Sequence, residues 1–155
     1  MPGTVEKKLA ELGVTLPAPA APIANYVGAV RSGNLIFVSG QLCFGPDGKI
    51  VAAGKLGAGI SMQQGLAAAR ICAINLIAQV KGIVGDLDRV VRVVRLGGFV
   101  NAGPDFSEGP KIMNGASDFM VDVFGDRGRH ARTTVGVAAL PLDAVIEVEG
   151  VFEVN

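Results

Sequence analysis

ARTTVGVAALPLDAVIEVEGVFEV, residues 131–154, reads as two β-strands, Arg132 to Leu140 and Val145 to Val154, joined by a turn at Pro141-Leu142-Asp143. Along the second strand Glu147, Glu149 and Glu153 project to one face, and Ile146, Val148, Phe152 and Val154 to the other. The first strand reads as apolar on both faces, with Val135 and Val137 on one and Ala138 and Leu140 on the other. Self-association is the simplest cover for such a strand, so an oligomer is expected. Arg132 opens this strand, and Glu147 stands fifteen positions later in the next. An unpaired buried charge is expensive, so both need a partner or a ligand. Arg132 either pairs with one of the strand glutamates or turns its planar fork to a ligand carboxylate. Glu149 and Glu153 read as a solvated acidic face.

Upstream, an amphipathic helix is predicted over Thr4 to Leu12, stopped by Gly13, followed by a proline-rich extended lead-in from Leu16 to Pro22. Residues 1–23 are thus set apart from a domain spanning 24–155. A β-meander is expected next: Tyr26 to Arg31, a turn at Ser32-Gly33-Asn34, Leu35 to Ser39, and a turn at Gly45 to Gly48 leading into Lys49 to Ala52. Ser61 with Gln64 forms a capping-box pattern, and Met62, Leu66, Ala69, Ala73, Ile77 and Val80 recur at helical spacing up to Gly82. Val90 to Val100 reads as a strand interrupted by Arg92 and Arg95. Ser107 is the expected cap of a second long helix, with Ile112, Ala116, Phe119 and Val123 inward and Gly125 at its end. Strands in runs with two long helices define an α+β fold: one mixed sheet with both helices on a single face.

The 155 residues suit one core, and 50% hydrophobic against 18% charged, with a mean hydropathy of +0.46, leaves apolar surface for subunit interfaces. Fourteen basic residues balance fourteen acidic ones without blocks of like charge, so no nucleic-acid or membrane-surface partner is expected. Cys43 and Cys72 lack CxxC spacing and read as reduced core thiols. No apolar signal core opens the chain and no stretch approaches about 18 uninterrupted apolar residues, which predicts a soluble, cytoplasmic protein. His130, the only histidine, has no second ligand at metal-binding spacing, so no metal is expected and the residue reads as a surface or hinge histidine. Neither GxGxxG, GxxxxGK[ST] nor GxSxG occurs, which leaves nucleotide binding and acyl-enzyme chemistry without support.

Asn25-Tyr26 before a strand, Phe37-Val38-Ser39-Gly40-Gln41, Gln63-Gln64 at a helix start, Ala131-Arg132-Thr133-Thr134-Val135, Leu140-Pro141 and Ile146-Glu147-Val148-Glu149 occur in an order that resembles the reactive intermediate deaminase family, also called RidA or YjgF. The resemblance covers about residues 24 to 154. It implies a chorismate-mutase-like α+β fold that forms a homotrimer, with clefts between neighbouring subunits. It further implies hydrolysis of reactive 2-imino or enamine acids to 2-keto acids and ammonia, without a cofactor. Carried over residue by residue, Arg132 holds the substrate carboxylate and Glu147 positions the attacking water, while Tyr26, Gly40, Asn114 and Thr134 correspond to substrate-binding positions. Thr134 stands where relatives often carry cysteine, Asn25 replaces a proline, and the N-terminal helix is an added piece, departures that bear on the substrate. The alternatives are a noncatalytic trimer that binds a small carboxylate metabolite or a partner protein, and an endoribonuclease; the last would need a basic track and stacking aromatics, which are 5% of this chain.

Overall fold

The structure, a computed structural model, describes residues 2–19, 21–22 and 24–155. A short helix α1 (Thr4–Glu11) precedes strands β1 (Ala29–Ser32) and β2 (Leu35–Leu42). Two-residue strands β3 (Lys55–Leu56) and β4 (Gly59–Ile60) lead to helix α2 (Met62–Val84). Then follow β5 (Val90–Asn101), helix α3 (Gly109–Phe124), β6 (Ala131–Val137) and β7 (Ile146–Val154).

Ser32 pairs with Leu35, so Gly33 and Asn34 alone turn the chain; Gly33, at φ +60°, supplies the left-handed step that such a hairpin demands. The five-stranded sheet has the order β1-β2-β7-β5-β6. Within this sheet only β5 and β6 run parallel, and α3 is the crossover that such a pair requires. The alternation anticipated for β7 is realised: Ile146, Val148, Phe152 and Val154 are buried along with Gly150, and Glu147, Glu149, Val151 and Glu153 are part exposed. α2 lies over β7 and β2, and α3 over β5 and β6, so both long helices cover one face of the mixed sheet, as the pattern required.

Ser61 closes the capping box at the start of α2: its Oγ accepts from Gln64 N at 3.1 Å, and Gln64 Oε1 accepts from Ser61 N at 2.9 Å. The helix passes the expected stop at Gly82 and ends at Gly85, whose φ of +74° terminates it. α2 is long and apolar enough to cross a membrane by length and composition, but 61% of its apolar window is buried inside the protein, the burial expected of a core helix. Glu108 rather than Ser107 stands at the N-cap of α3, without a side-chain cap hydrogen bond, and Pro110 lies in the first turn. Gly115 brings α3 onto the Leu66 carbonyl of α2, an approach that a Cβ would obstruct.

Three expectations need correction. Lys49 to Ala52 forms no strand; a turn closed by Gly45 N donating to Lys49 O and an isolated Phe44–Ile50 bridge stand there instead. Glycines 54, 57 and 59, all at positive φ, keep the following segment from extended pairing beyond β3 and β4. β6 stops at Val137, because Lys55 Nζ takes the Ala138 carbonyl at 2.5 Å and the chain leaves the sheet. The helix side of β6 is therefore Arg132, Thr134 and Gly136, not an apolar row. The uncovered apolar surface lies on the opposite, open face of the sheet, where Phe37 is 47% and Val135 45% exposed.

α1 docks on its own chain. Val5 and Leu9 enter the core, and Asp88 accepts from the free N–H groups of Thr4 and Val5 at 2.8 and 2.9 Å, capping the helix from outside. Cys43 and Cys72 are free and buried, and each thiol donates to a backbone carbonyl, Cys43 Sγ to Ala52 and Cys72 Sγ to Ile146, both at 3.7 Å. Burial holds the Cys72 thiol well above its ordinary range.

Candidate active site

The site residues anticipated from sequence fall into two groups on opposite faces of the sheet. Glu147 pairs with Phe99 of β5, and Phe99 with Val135 of β6, so Arg132 lies two strands away and three residues further along. At the usual strand spacing and rise their Cα atoms are roughly 14 Å apart. Arg132 stands level with Leu96 and Gly150 and leaves the sheet toward α3, whereas Glu147 alternates with the buried Ile146 and Val148 and leaves by the open face. The structure does not bring them together within one chain.

The first group surrounds Arg132. Its Nη1 donates to Asn114 Oδ1 at 2.8 Å and to Ser117 Oγ at 3.1 Å, and its Nη2 donates to the Pro110 carbonyl at 3.1 Å. All three acceptors are neutral. Among the described residues no carboxylate lies within ion-pair distance of Arg132, so the structural ion pair weighed from sequence is not formed in the chain. Thr134 follows on the same face, and its Oγ1 is buried without a hydrogen-bond partner. An unpaired buried hydroxyl costs about 1–3 kcal/mol, so this one is a candidate to meet a ligand or a neighbouring chain.

Two members of this group were not anticipated. Ser117 lies three residues after Asn114 on α3, a spacing that puts both on one helix face, and this is the signal that could have found it. His130 is not a free surface residue: Nδ1 lies 2.6 Å from the Gly128 carbonyl and Nε2 2.8 Å from Ser117 Oγ. Burial, and then the nearby Arg132 guanidinium, lower its pKa below the ordinary histidine value.

The second group lines a cleft of about 760 Å³ that contains Tyr26, Gly40 and Glu147. A Cβ on Gly40 would stand 2.6 Å from Glu147 Oε1, so the missing side chain is what admits the carboxylate. The Ser39-Gly40-Gln41 segment is a break in the β2–β7 register, pinned by Ser39 Oγ donating to the Val27 carbonyl at 2.8 Å and Ser39 N to the Gly28 carbonyl at 2.9 Å. Burial raises the pKa of Glu147, and the neighbouring Glu149 adds to the rise. Tyr26 is 56% exposed at the cleft.

The remaining walls mix polar and apolar side chains, with Asn75 and Gln79 of α2 beside the prolines of the lead-in. Pro17, Pro19 and Pro22 of the lead-in form one side, and Leu142 stands at another. Leu142 and Asp143 hold φ of +57° and +55°, strained for residues with side chains. The turn is held by Asn101 Nδ2 donating to Asp143 Oδ1 at 3.0 Å and Gly54 N donating to the Asp143 carbonyl at 2.7 Å.

A mixed sheet carrying two helices on one face, with an arginine offered by an edge strand and a half-buried glutamate in a separate cleft, defines a chorismate-mutase-like α+β protein with the elements of a small-molecule site. The sequence model of the family described as "YjgF/chorismate_mutase-like, putative endoribonuclease" matches residues 6–154. Protein TCP17 of Trypanosoma cruzi is 49% identical over 154 residues, covering 99% of this chain and 96% of its own. The crystal structure of protein Atu1372 from Agrobacterium tumefaciens superposes with a TM-score of 0.90 at 44% identity, covering 97% of this chain and 93% of that one. A Shewanella oneidensis structure, which carries the same endoribonuclease description, gives a TM-score of 0.94 at 35% identity over 98% of this chain and 100% of its own. The chain belongs to the RidA/YjgF family.

Proposed function

We propose that this protein hydrolyses reactive 2-imino and enamine acids to 2-keto acids and ammonia, in clefts between the subunits of a homotrimer. The observation that carries the reading is the Arg132 guanidinium, held in place by three neutral acceptors and balanced by no carboxylate of the described chain. A fork positioned in this way has its charge left for a bidentate ligand carboxylate. The two groups of site residues leave opposite faces of one sheet, so they complete a site only when Arg132, Asn114 and Thr134 of one subunit meet Tyr26, Gly40 and Glu147 of the next. The exposed apolar open face is the surface that such an assembly would bury.

The chemistry follows from the residues. An enamine such as 2-aminoacrylate tautomerises to the imine, whose C2 is electrophilic. Arg132 fixes the carboxylate, and Glu147 takes a proton from water as its oxygen bonds to C2. Attack on the N-protonated imine gives a carbinolamine whose nitrogen takes that proton back from Glu147; the hydroxyl proton then passes to the freed carboxylate as the carbonyl forms, the C–N bond breaks, and ammonia leaves the keto acid. A carboxylate whose pKa is raised by burial is the stronger base for this step. The test is release of keto acid and ammonia from a panel of imino acids generated in situ by an amino-acid oxidase. No acceleration over spontaneous hydrolysis for any member would overturn the reading, and ligand binding without ammonia release would point to a carboxylate-binding trimer. Ribonuclease assay of the same metal-free protein tests the activity in the family's description.

A further inference from the structure

Arg132 is reached by a chain of hydrogen bonds that leads away from the sheet: the Gly128 carbonyl, the His130 ring, the Ser117 hydroxyl, then the guanidinium. Each link constrains the next. A carbonyl only accepts, so His130 Nδ1 carries a hydrogen and donates at 2.6 Å. A neutral ring then presents a lone pair at Nε2, and Ser117 Oγ donates to it at 2.8 Å. With its hydrogen committed there, the serine oxygen turns its lone pairs toward Arg132 Nη1 at 3.1 Å. We infer that His130 and Ser117 are positioning residues for Arg132, with neutral, Nδ1-protonated His130 setting the serine hydroxyl that aims the guanidinium at a ligand carboxylate. This rests on the reading of Arg132 as the carboxylate clamp.

Protonation of His130 would put a donor at Nε2, release the serine hydrogen from its fixed direction and place an imidazolium beside a guanidinium. The surroundings favour the neutral ring, since burial, with the Arg132 charge adding to it, outweighs the Gly128 carbonyl that acts the other way. The other charged groups nearby are engaged elsewhere: Asp126 pairs with Arg129 at 3.3 Å, Arg127 donates to the Val90 carbonyl, and Asp118 and Asp122 of α3 line the groove toward α2. Carboxylate binding should therefore weaken as pH falls through the titration of His130. Protonation of Glu147 acts in the opposite direction, because it removes a negative charge from the neighbourhood of an anionic ligand.

His130 is the only histidine in the sequence, so the imidazole nitrogen resonances of the untagged protein report on it without ambiguity. The experiment combines those spectra with pyruvate titrations across the range from about pH 5 to about pH 8, where a histidine changes charge. The titrations use the wild type, Ser117→Ala, His130→Ala and Arg132→Ala, with Glu147→Gln as the background that removes the opposing titration. The expected result is an Nδ1–H neutral ring, pyruvate binding about tenfold weaker in Ser117→Ala, the scale of one lost hydrogen bond, and no low-pH loss of binding in His130→Ala. An Nε2–H ring, or Ser117→Ala binding pyruvate like the wild type while Arg132→Ala does not, would overturn the inference and leave the clamp standing. Pyruvate binding unaffected by Arg132→Ala, or absent from the wild type, would remove the clamp and the inference with it.

Discussion

Gly40 and Glu147 meet where the β2–β7 register breaks, so closely that a methyl group at Gly40 would lie 2.6 Å from the glutamate's Oε1. The obstacle is the far end of a flexible side chain rather than backbone. Gly40→Ala should therefore fold normally and push the Glu147 carboxylate out of its position. We expect keto-acid formation to fall by about one to two orders of magnitude, the scale of a displaced general base, with melting temperature changed little. Steady-state rates beside a thermal melt check this.

Arg132→Lys tests the fork. An ammonium keeps the charge but cannot serve Asn114, Ser117 and Pro110 while also giving a carboxylate two parallel bonds. The variant should keep its oligomeric state and lose about tenfold to a hundredfold in kcat/KM, the value of one or two charge-assisted hydrogen bonds. An undiminished rate would show that Arg132 does not hold substrate.

Glu147→Gln separates chemistry from stability. Its folded-state pKa is raised, first by burial and then by Glu149, so the fold binds this proton more tightly than the unfolded chain does. Stability is therefore lost as pH rises from the ordinary carboxylate value through the raised one, and the ionised group opposes folding at neutral pH. Glutamine should raise the melting temperature at neutral pH, have little effect at a pH below the ordinary glutamate range, and slow hydrolysis by about a hundredfold or more. Carboxylate binding should persist. The wild-type rate should fall as pH drops through the raised pKa of the glutamate, and that limb should vanish in the variant.

Phe37 and Val135 offer apolar surface on the open face of the sheet. Phe37→Glu places a charge where subunits are proposed to meet, and burying it unpaired would cost several kcal/mol. Ultracentrifugation should show monomers of 15.9 kDa for the variant and the proposed trimer for the wild type. Deamination should vanish with the assembly, because the two groups of site residues leave opposite faces of each chain and would meet only across a subunit boundary.

The strands around Glu147 and the capped start of α2 were legible because their signals are local. Alternation with period two placed Ile146 and Val148 inside, and Ser61 with Gln64 lies within one turn of helix. The same locality limited the reading elsewhere. Gly82 looked like a helix stop because glycine usually weakens helices, yet packing against Pro19 and the core carries α2 on to Gly85. His130 looked idle because its partners, Gly128 and Ser117, are a backbone carbonyl and a residue of another element, neither of which forms a motif with it.

Residue pattern and order were enough to settle the α+β class, the family and the identity of the candidate residues. Period and capping depend on neighbours along the chain, and the family's motifs are short. The placing of Arg132 under α3 and of Glu147 over Gly40, on opposite faces, came from folding alone. It depends on the register of β5 against both β6 and β7 and on the side from which α3 packs, relationships between segments far apart in the chain that no local spacing encodes.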